Sequence, residues 1–205
     1  ITNSGEVKRV YINGQEVGPY LLVENIDKEM LERDYKITNF AIFKNNDDWN
    51  KGKGPAHVST TDYTSYDIEQ SGVEGTIDIA QAKLKLLTIA LEQEDIKFLE
   101  ELVDVDNLAK VAALINITGR VQPVRGDNAK YIYDFASGKF QLAYRLEGDI
   151  SNLQSKMPAS FDRQIYAGGS MHKLIRLFQR EGWFVDLRNR YLRKVVEDEG
   201  HIFSL

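Results

Sequence analysis

Apolar and polar residues alternate in the first part of the chain, which is the pattern of β-strands. Residues 6–12 alternate in this way and are followed by Asn13-Gly14. Because Asn and Gly both tolerate positive φ, this dipeptide predicts a β-hairpin with 17–24 as its second strand. That strand contains the apolar run YLLV. A strand with so few polar positions is predicted to be buried on both faces.

A second hairpin is predicted farther along the chain. Residues 130–134 and 139–144 alternate apolar and polar positions around a turn that carries Gly138. The polar run RLEGD, from Arg145 to Asp149, follows the second strand directly. Polar residues in the loop after a strand are where many folds keep their chemistry. This exit from the hairpin is therefore the first candidate for a functional site.

Helical periodicity governs most of the remaining sequence. Asp27 and Asp104 precede apolar stripes with a spacing of three to four residues, and both are suitable N-caps. A further short strand is predicted at 40–44, and the Asn-, Asp-, Gly- and Lys-rich segment 45–62 is predicted to be a long loop. The predicted helices are 28–35, 79–91, 95–103, 105–117, 171–178 and 183–196.

This order of elements predicts an α+β fold, in which a small antiparallel sheet precedes a mainly helical body. The 130–144 hairpin is expected to pack into that body. The residues predicted to form the core are Tyr20, Leu22, Leu87, Leu91, Leu108, Ile115, Tyr131, Phe140, Leu174 and Trp183.

Composition and charge exclude several functions. The net charge of −5 over 205 residues argues against a nonspecific nucleic-acid binder. The sequence has no cysteine, which excludes disulfides and thiolate catalysis, and its three histidines are too far apart in sequence to support a metal site. No run reaches the roughly 20 apolar residues that a membrane helix needs, so no membrane span is expected.

Two segments resemble the CotH (spore coat protein H) kinase-like family. RVYINGQEVGPYLLVENIDKEMLERDY is similar to that family's strand, Asn-Gly turn, apolar strand ending in Glu, and helix starting Asp-Lys. VDVDNLAKVAALINITG, followed by DNAKYIYDFASGKFQLAYRLEGD, is similar to its helix ending in Gly, its Asn before an aromatic strand, and its Gly-Lys turn. The family closes this second block with Trp-Asp-x-Asp/Glu-Gly. The final helices, at 171–192, also match.

The resemblance implies a kinase-like fold whose relatives phosphorylate proteins in secretory or cell-surface settings. It divides the chain into 1–26, the end of a small β lobe with its hinge, and 27–205, a body like the larger lobe of a kinase. The family's upstream half would precede Ile1. The expectation is either a fragment or a chain without a complete nucleotide site.

The resemblance also implies site residues that would bind ATP with Mg²⁺ or Mn²⁺. The alternative expectation is that the chain binds no cofactor. Residues 24–26 would form the hinge, with Glu24 and Asn25 at the nucleotide. The implied catalytic residue is Asp127, the implied metal ligands are Asn128, Glu147 and Asp149, and Arg145 is assigned to cofactor binding.

The implied acids depart from the family at two places. The family's metal-binding Asp follows the Trp that ends the second strand, where this chain has Tyr144-Arg145. A guanidinium repels a divalent ion by roughly 4 kcal/mol for each unit of the ion's charge, at 4 Å and an effective dielectric near 20. The catalytic Asp is expected near Gln122, which cannot act as a base, so Asp127 would have to substitute.

Alternative interpretations remain open for individual residues. Arg145 is either a surface residue paired with Glu147 or Asp149, or a bidentate phosphate ligand. Asn128 is either a turn residue or a metal ligand. Glu24 either caps the following helix or contacts an adenine.

Three functions are consistent with these observations. The first is a degenerate family member, a pseudokinase that binds or scaffolds a protein partner in a secreted, spore-coat or cell-surface setting. The second is an active ATP- and metal-dependent protein kinase whose upstream half lies outside this chain, with a protein substrate. The third is a structural domain that binds no nucleotide. Neither a nucleic-acid partner nor a membrane span is expected in any of the three.

Overall fold

The computed structural model describes residues 1–45, 63–71, 77–118, 129–145 and 173–199. Its elements follow the predicted order, and the α+β class is confirmed. The first helix continues as a π-helical turn at Leu31–Tyr35, and a short 3₁₀ helix at Tyr63–Ser65 precedes the fourth strand. The elements are β1 (Gly5–Ile12), β2 (Gln15–Val23), α1 (Lys28–Met30), β3 (Phe40–Asn45), β4 (Tyr66–Ser71), α2 (Ile77–Gln93), α3 (Ile96–Leu102), α4 (Val105–Thr118), β5 (Lys130–Asp134), β6 (Lys139–Ala143), α5 (Lys173–Phe178) and α6 (Gly182–Glu199).

Local sequence signals form the turns and caps that they predict. Asn13 and Gly14 have φ values of 52° and 81°, as the turn between β1 and β2 requires. The Asp27 carboxylate accepts a hydrogen bond from the Met30 N–H at 3.1 Å and so caps α1. Asp104 caps α4 in the same way, at 3.0 Å from the Asn107 N–H. Residues 46–62 of the predicted loop lie outside the described residues.

The second hairpin belongs to a larger sheet than the sequence predicted. β5 and β6 join β3 and β4 in a four-stranded antiparallel sheet of order β4-β3-β5-β6. The sequence pattern did not predict β4. Strands β3, β5 and β6 alternate their side chains between two apolar clusters, whereas β4 contributes only to the first. Phe43, Tyr131 and Phe140 face the helices α2 to α6, while Phe40, Ile42 and Ile132 face Met30 and Leu31 of the first helix.

The outer edge of β6 is covered by other parts of the chain. The Asp104 N–H donates to the Phe140 carbonyl at 2.8 Å, and the Leu142 N–H donates to Asn107 Oδ1 at 2.8 Å. The Tyr144 N–H then donates to the Ile1 carbonyl at 2.7 Å. These bonds continue to the end of the strand, so the chain leaves β6 at Arg145 from a tightly held position.

The first hairpin forms a separate two-stranded sheet that no other described strand joins. The prediction that Tyr20 and Leu22 are core residues is wrong, because they are 52% and 53% exposed. Trp183 is also outside the core, with 43% exposure, since it packs edge-on against Phe178 and Phe184 at the start of α6. The other predicted core residues are buried: Leu87, Leu91, Leu108, Ile115, Tyr131, Phe140 and Leu174.

The division of the chain at residue 26 stays a prediction. Ile1 and Ile26, from the predicted small lobe, pack with Met30 and Phe40 in one cluster. Among the described residues, no helix has the length and apolar character needed to cross a bilayer.

Candidate functional site

Three cationic side chains lie on adjacent strands at one end of the four-stranded sheet. Lys44 on β3 is directly opposite Lys130 on β5, and Lys130 is opposite Ala143 on β6. Arg145 follows Ala143 by two residues, and side chains alternate between the faces of a strand, so Arg145 is expected on the same face. All three line one cleft.

The cleft lies between this end of the sheet and the segment that follows β2. Its volume is ≈ 310 Å³. Three residues assigned to cofactor binding from the sequence, Glu24, Asn25 and Arg145, all line it. Residues far apart in sequence therefore meet here. The full lining consists of Asn3, Glu24, Asn25, Ile26, Asp27, Lys44, Glu69, Lys130 and Arg145.

The polar groups of Glu24 are already engaged within the chain. Arg33 donates through both terminal nitrogens to the two carboxylate oxygens, at 2.7 Å each, and Ser4 Oγ donates to Oε2 at 2.7 Å. The Glu24 carbonyl accepts from Asn3 Nδ2 at 2.8 Å, and its N–H donates to the Ser4 carbonyl at 3.0 Å. Hydrogen bonds from Arg33 and Ser4 hold the pKa of Glu24 below its ordinary value.

This arrangement limits what Glu24 can offer to a ligand. The α1 helix is capped by Asp27, and the Glu24 carboxylate contacts Arg33 instead of the helix N-terminus. A carboxylate held by a bidentate guanidinium is a strong, geometrically specific pair. Asn25 and the charged groups across the cleft are therefore better placed than Glu24 to receive a ligand.

The other two carboxylates of the cleft are also engaged. The Asp27 carboxylate caps α1, and Glu69 Oε2 pairs with Lys130 Nζ at 2.5 Å. By contrast, neither Lys44 nor Arg145 has an ion-pair partner within the ranges that the structure describes. The carboxylates of the cleft are thus engaged within the chain, whereas the charges of Lys44 and Arg145 remain available. This combination favours the binding of an anion.

The implied catalytic and metal-binding residues lie outside the described residues. These are Asp127, Asn128, Glu147 and Asp149, together with Gln122. The predicted pairing of Arg145 with Glu147 or Asp149 lies outside them as well. Within the described ranges, no group of three His, Asp or Glu side chains could hold a metal ion. The described part of the cleft fits phosphate oxygens and does not fit a divalent cation.

Lys44, Glu69 and Lys130 are residues of the cleft that sequence reasoning missed. The alternation of β3 and β5 places a lysine at one end of each strand. The sequence alone does not show that these two lysines are neighbours. Their proximity follows from the strand register, which places them opposite each other in the paired sheet.

Comparison with models of protein families gives a match over residues 4–144, to the family described as CotH kinase protein. The matched range covers more than half of the chain. It contains β1 to β6 and ends at Tyr144, one residue before Arg145. No curated protein matched the sequence.

Proposed function

Because this chain belongs to the CotH kinase protein family, we propose that it is a kinase-like domain that binds a ligand in the cleft but has lost phosphoryl transfer. The observation that carries this proposal is Arg145, which lines the cleft beside Lys44 and Lys130. In the family pattern described above, the position of Arg145 belongs to an acid that holds the metal.

The chemistry of phosphoryl transfer supports this proposal. Catalysis of that reaction depends on positioning and on neutralising charge, and carboxylates that hold Mg²⁺ supply much of both. A guanidinium at the position of one such carboxylate removes a ligand and repels Mg²⁺ by roughly 4 kcal/mol for each unit of the ion's charge, at 4 Å and an effective dielectric near 20. The same guanidinium remains a good ligand for phosphate oxygens. Binding is therefore retained more readily than transfer.

A binding domain of this kind would act on a protein partner in a secreted or cell-surface setting, as the family resemblance implies. Its role would be to hold or scaffold that partner. The setting would be tested by following the protein in cell fractions, where a purely intracellular distribution would contradict it.

An active ATP- and metal-dependent kinase is the second candidate. It is favoured by the cleft itself, which joins the segment after β2 to the end of β6 as a nucleotide site would require. Its acids would be Asp127, Glu147 and Asp149, with Asn128 as a further metal ligand, and all four lie outside the described residues.

A phosphate-transfer assay separates the two candidates. The protein would be incubated with labelled ATP, Mg²⁺ or Mn²⁺ and a general acceptor protein, while melting temperatures are recorded with and without ATP. We expect ATP to raise the melting temperature and no label to reach the acceptor. Transfer that is abolished by Asp127→Asn, but not by Asp186→Asn on the exposed surface of α6, would overturn the proposal.

A further inference from the structure

We propose that the cleft captures phosphate groups directly, without a metal ion, through Lys44 and Arg145. This inference rests on the proposed function, since it takes the cleft to be the ligand site of the domain. In metal-dependent nucleotide binding, a metal ion contacts the phosphates. In the present proposal only cationic side chains of the protein contact them.

The strand register supplies the first argument. Lys44 and Lys130 are directly opposite each other on β3 and β5. Like charges at opposite positions of neighbouring strands destabilise a sheet. Glu69 pairs with Lys130, and Asp67 on β4 is directly opposite Lys44, so both lysines have an acidic neighbour on β4. Arg145 adds a third cation to the same cleft, and an anion would compensate this positive charge.

The state of the carboxylates supplies the second argument. Glu24 is held by Arg33, Asp27 caps α1, and Glu69 is paired with Lys130. A metal ion in the described part of the cleft would have to displace one of these contacts. A phosphate would displace none of them, because Lys44 and Arg145 have no ion-pair partner in the described ranges.

The size and donors of the cleft define the ligand class. A guanidinium can donate two parallel hydrogen bonds to one phosphate, and a lysine adds a separate point charge. Two such cations suit a ligand with two linked phosphates. The volume of ≈ 310 Å³ accommodates a small molecule of this kind. Inorganic pyrophosphate is the minimal probe, and ATP adds a base and sugar.

Calorimetric titrations in EDTA test this proposal with pyrophosphate, ATP and adenosine as separate arms. We expect pyrophosphate and ATP to bind without metal and adenosine to bind at least about tenfold more weakly, since charge-assisted hydrogen bonds are the stronger ones. Binding that requires Mg²⁺, or adenosine that binds as tightly as ATP, would overturn the proposal. The absence of any pyrophosphate binding would overturn it too.

Two substitutions test the assigned residues. Lys44→Gln and Arg145→Gln should each weaken pyrophosphate binding by about tenfold to hundredfold, the usual effect of losing a hydrogen bond to a charged group. The matched controls are Lys97→Gln and Arg193→Gln, which remove exposed cations on α3 and α6. Melting temperatures establish that each variant is folded. Equal losses in the controls would mean that net charge, and not the cleft, attracts the anion.

The failure of this inference can be told apart from failure of the proposed function. If pyrophosphate does not bind in EDTA and no label is transferred from ATP, the inference is wrong and the loss of transfer stands. If pyrophosphate binds in EDTA and label is transferred with Mg²⁺, direct phosphate capture is right and the loss of transfer is wrong.

Discussion

The two hairpins of this chain share similar sequence signals and have opposite surroundings. Each consists of two apolar-rich strands joined by a turn that contains a glycine with positive φ. Leu22 on β2 is 53% exposed, whereas Leu142 on β6 is 2% exposed. Apolar content alone therefore does not decide which hairpin enters the core.

The difference lies in what each hairpin meets. The β5–β6 hairpin pairs with β3 on one side, and the outer edge of β6 bonds to Asp104, Asn107 and Ile1. No described strand joins the outer edges of β1 and β2. A two-stranded hairpin without a third strand or a helix against it has marginal stability of its own. In this protein, the hairpin whose outer edges are bonded to other segments is buried, and the hairpin whose outer edges no described strand joins is exposed.

The largest expected effect comes from removing matched leucines. Leu142→Ala should destabilise the protein by about 2–5 kcal/mol, because it leaves a cavity in the core. Leu22→Ala should cost less than about 1 kcal/mol, since the side chain is half exposed. Urea unfolding followed by circular dichroism measures both. Equal losses of unfolding free energy in the two variants would contradict the difference between the hairpins and would mean that the first hairpin is buried in solution.

A smaller effect is expected at the covered edge of β6. Asn107→Ala removes the acceptor of the Leu142 N–H and should cost about 1–3 kcal/mol, the penalty for an unsatisfied buried donor. Hydrogen exchange at the Leu142 amide should become faster. Asn107→Asp keeps an acceptor oxygen at this position, so exchange at the Leu142 amide should stay slower than in Asn107→Ala, although the buried carboxylate costs stability of its own. If Asn107→Ala left exchange at Leu142 unchanged, edge coverage would not explain the protection of the second hairpin.

A small change in stability is expected at the charged end of the same sheet. Lys44→Gln removes a charge that is opposite Lys130 on β5 and opposite Asp67 on β4, so the two effects offset and the free energy of unfolding should change by less than about 0.5 kcal/mol. Lys97→Gln, on the exposed face of α3, should leave the free energy of unfolding unchanged. The measurement is urea unfolding at low ionic strength, where screening is weakest. A loss of more than about 1 kcal/mol in Lys44→Gln would mean that the lysine stabilises the sheet itself.

Another small effect, which depends on pH, concerns the helix that covers β6. Lys110 donates to Asp106 at 2.7 Å, and the Tyr191 hydroxyl of α6 donates to the same carboxylate. Burial raises the pKa of Asp106, but hydrogen bonds from Lys110 and Tyr191 outweigh it and hold the pKa below its ordinary value. A lowered pKa in the folded state means that the contribution is present above about pH 4, the unfolded value, and is lost as pH falls further.

Substitution of Asp106 tests this pH dependence. At pH 7, Asp106→Asn should cost less than about 1 kcal/mol, because the ion pair is half exposed and solvent screens it. The difference in melting temperature between the variant and the natural sequence should shrink as pH falls below about 4. A difference that stays constant down to pH 2 would show that the charge of Asp106 does not tie α4 to α6.

Much of the fold follows from local signals. Asn13-Gly14, the Asp27 and Asp104 caps, and the helical stripes predict their elements because turn chemistry and periodicity are properties of neighbouring residues. β4 escaped prediction because the segment that contains it is short and is completed by pairing with β3.

The candidate site was only partly predictable. The resemblance to a family pointed to Glu24, Asn25 and Arg145, and all three line the cleft. It did not point to Lys44 or Lys130, because their proximity is created by the register of β3 and β5. It also did not point to Arg33, which forms an ion pair with the Glu24 carboxylate.

The sequence by itself determined most of the strands, turns and helices, β4 excepted, since those choices depend on residues within a few positions of one another. Only the tertiary structure decided that the second hairpin is buried while the first is exposed, because burial depends on which distant segments cover an edge or a face. The same long-range pairing brought three cations to one end of a sheet, where Arg145 lines a cleft together with Lys44 and Lys130.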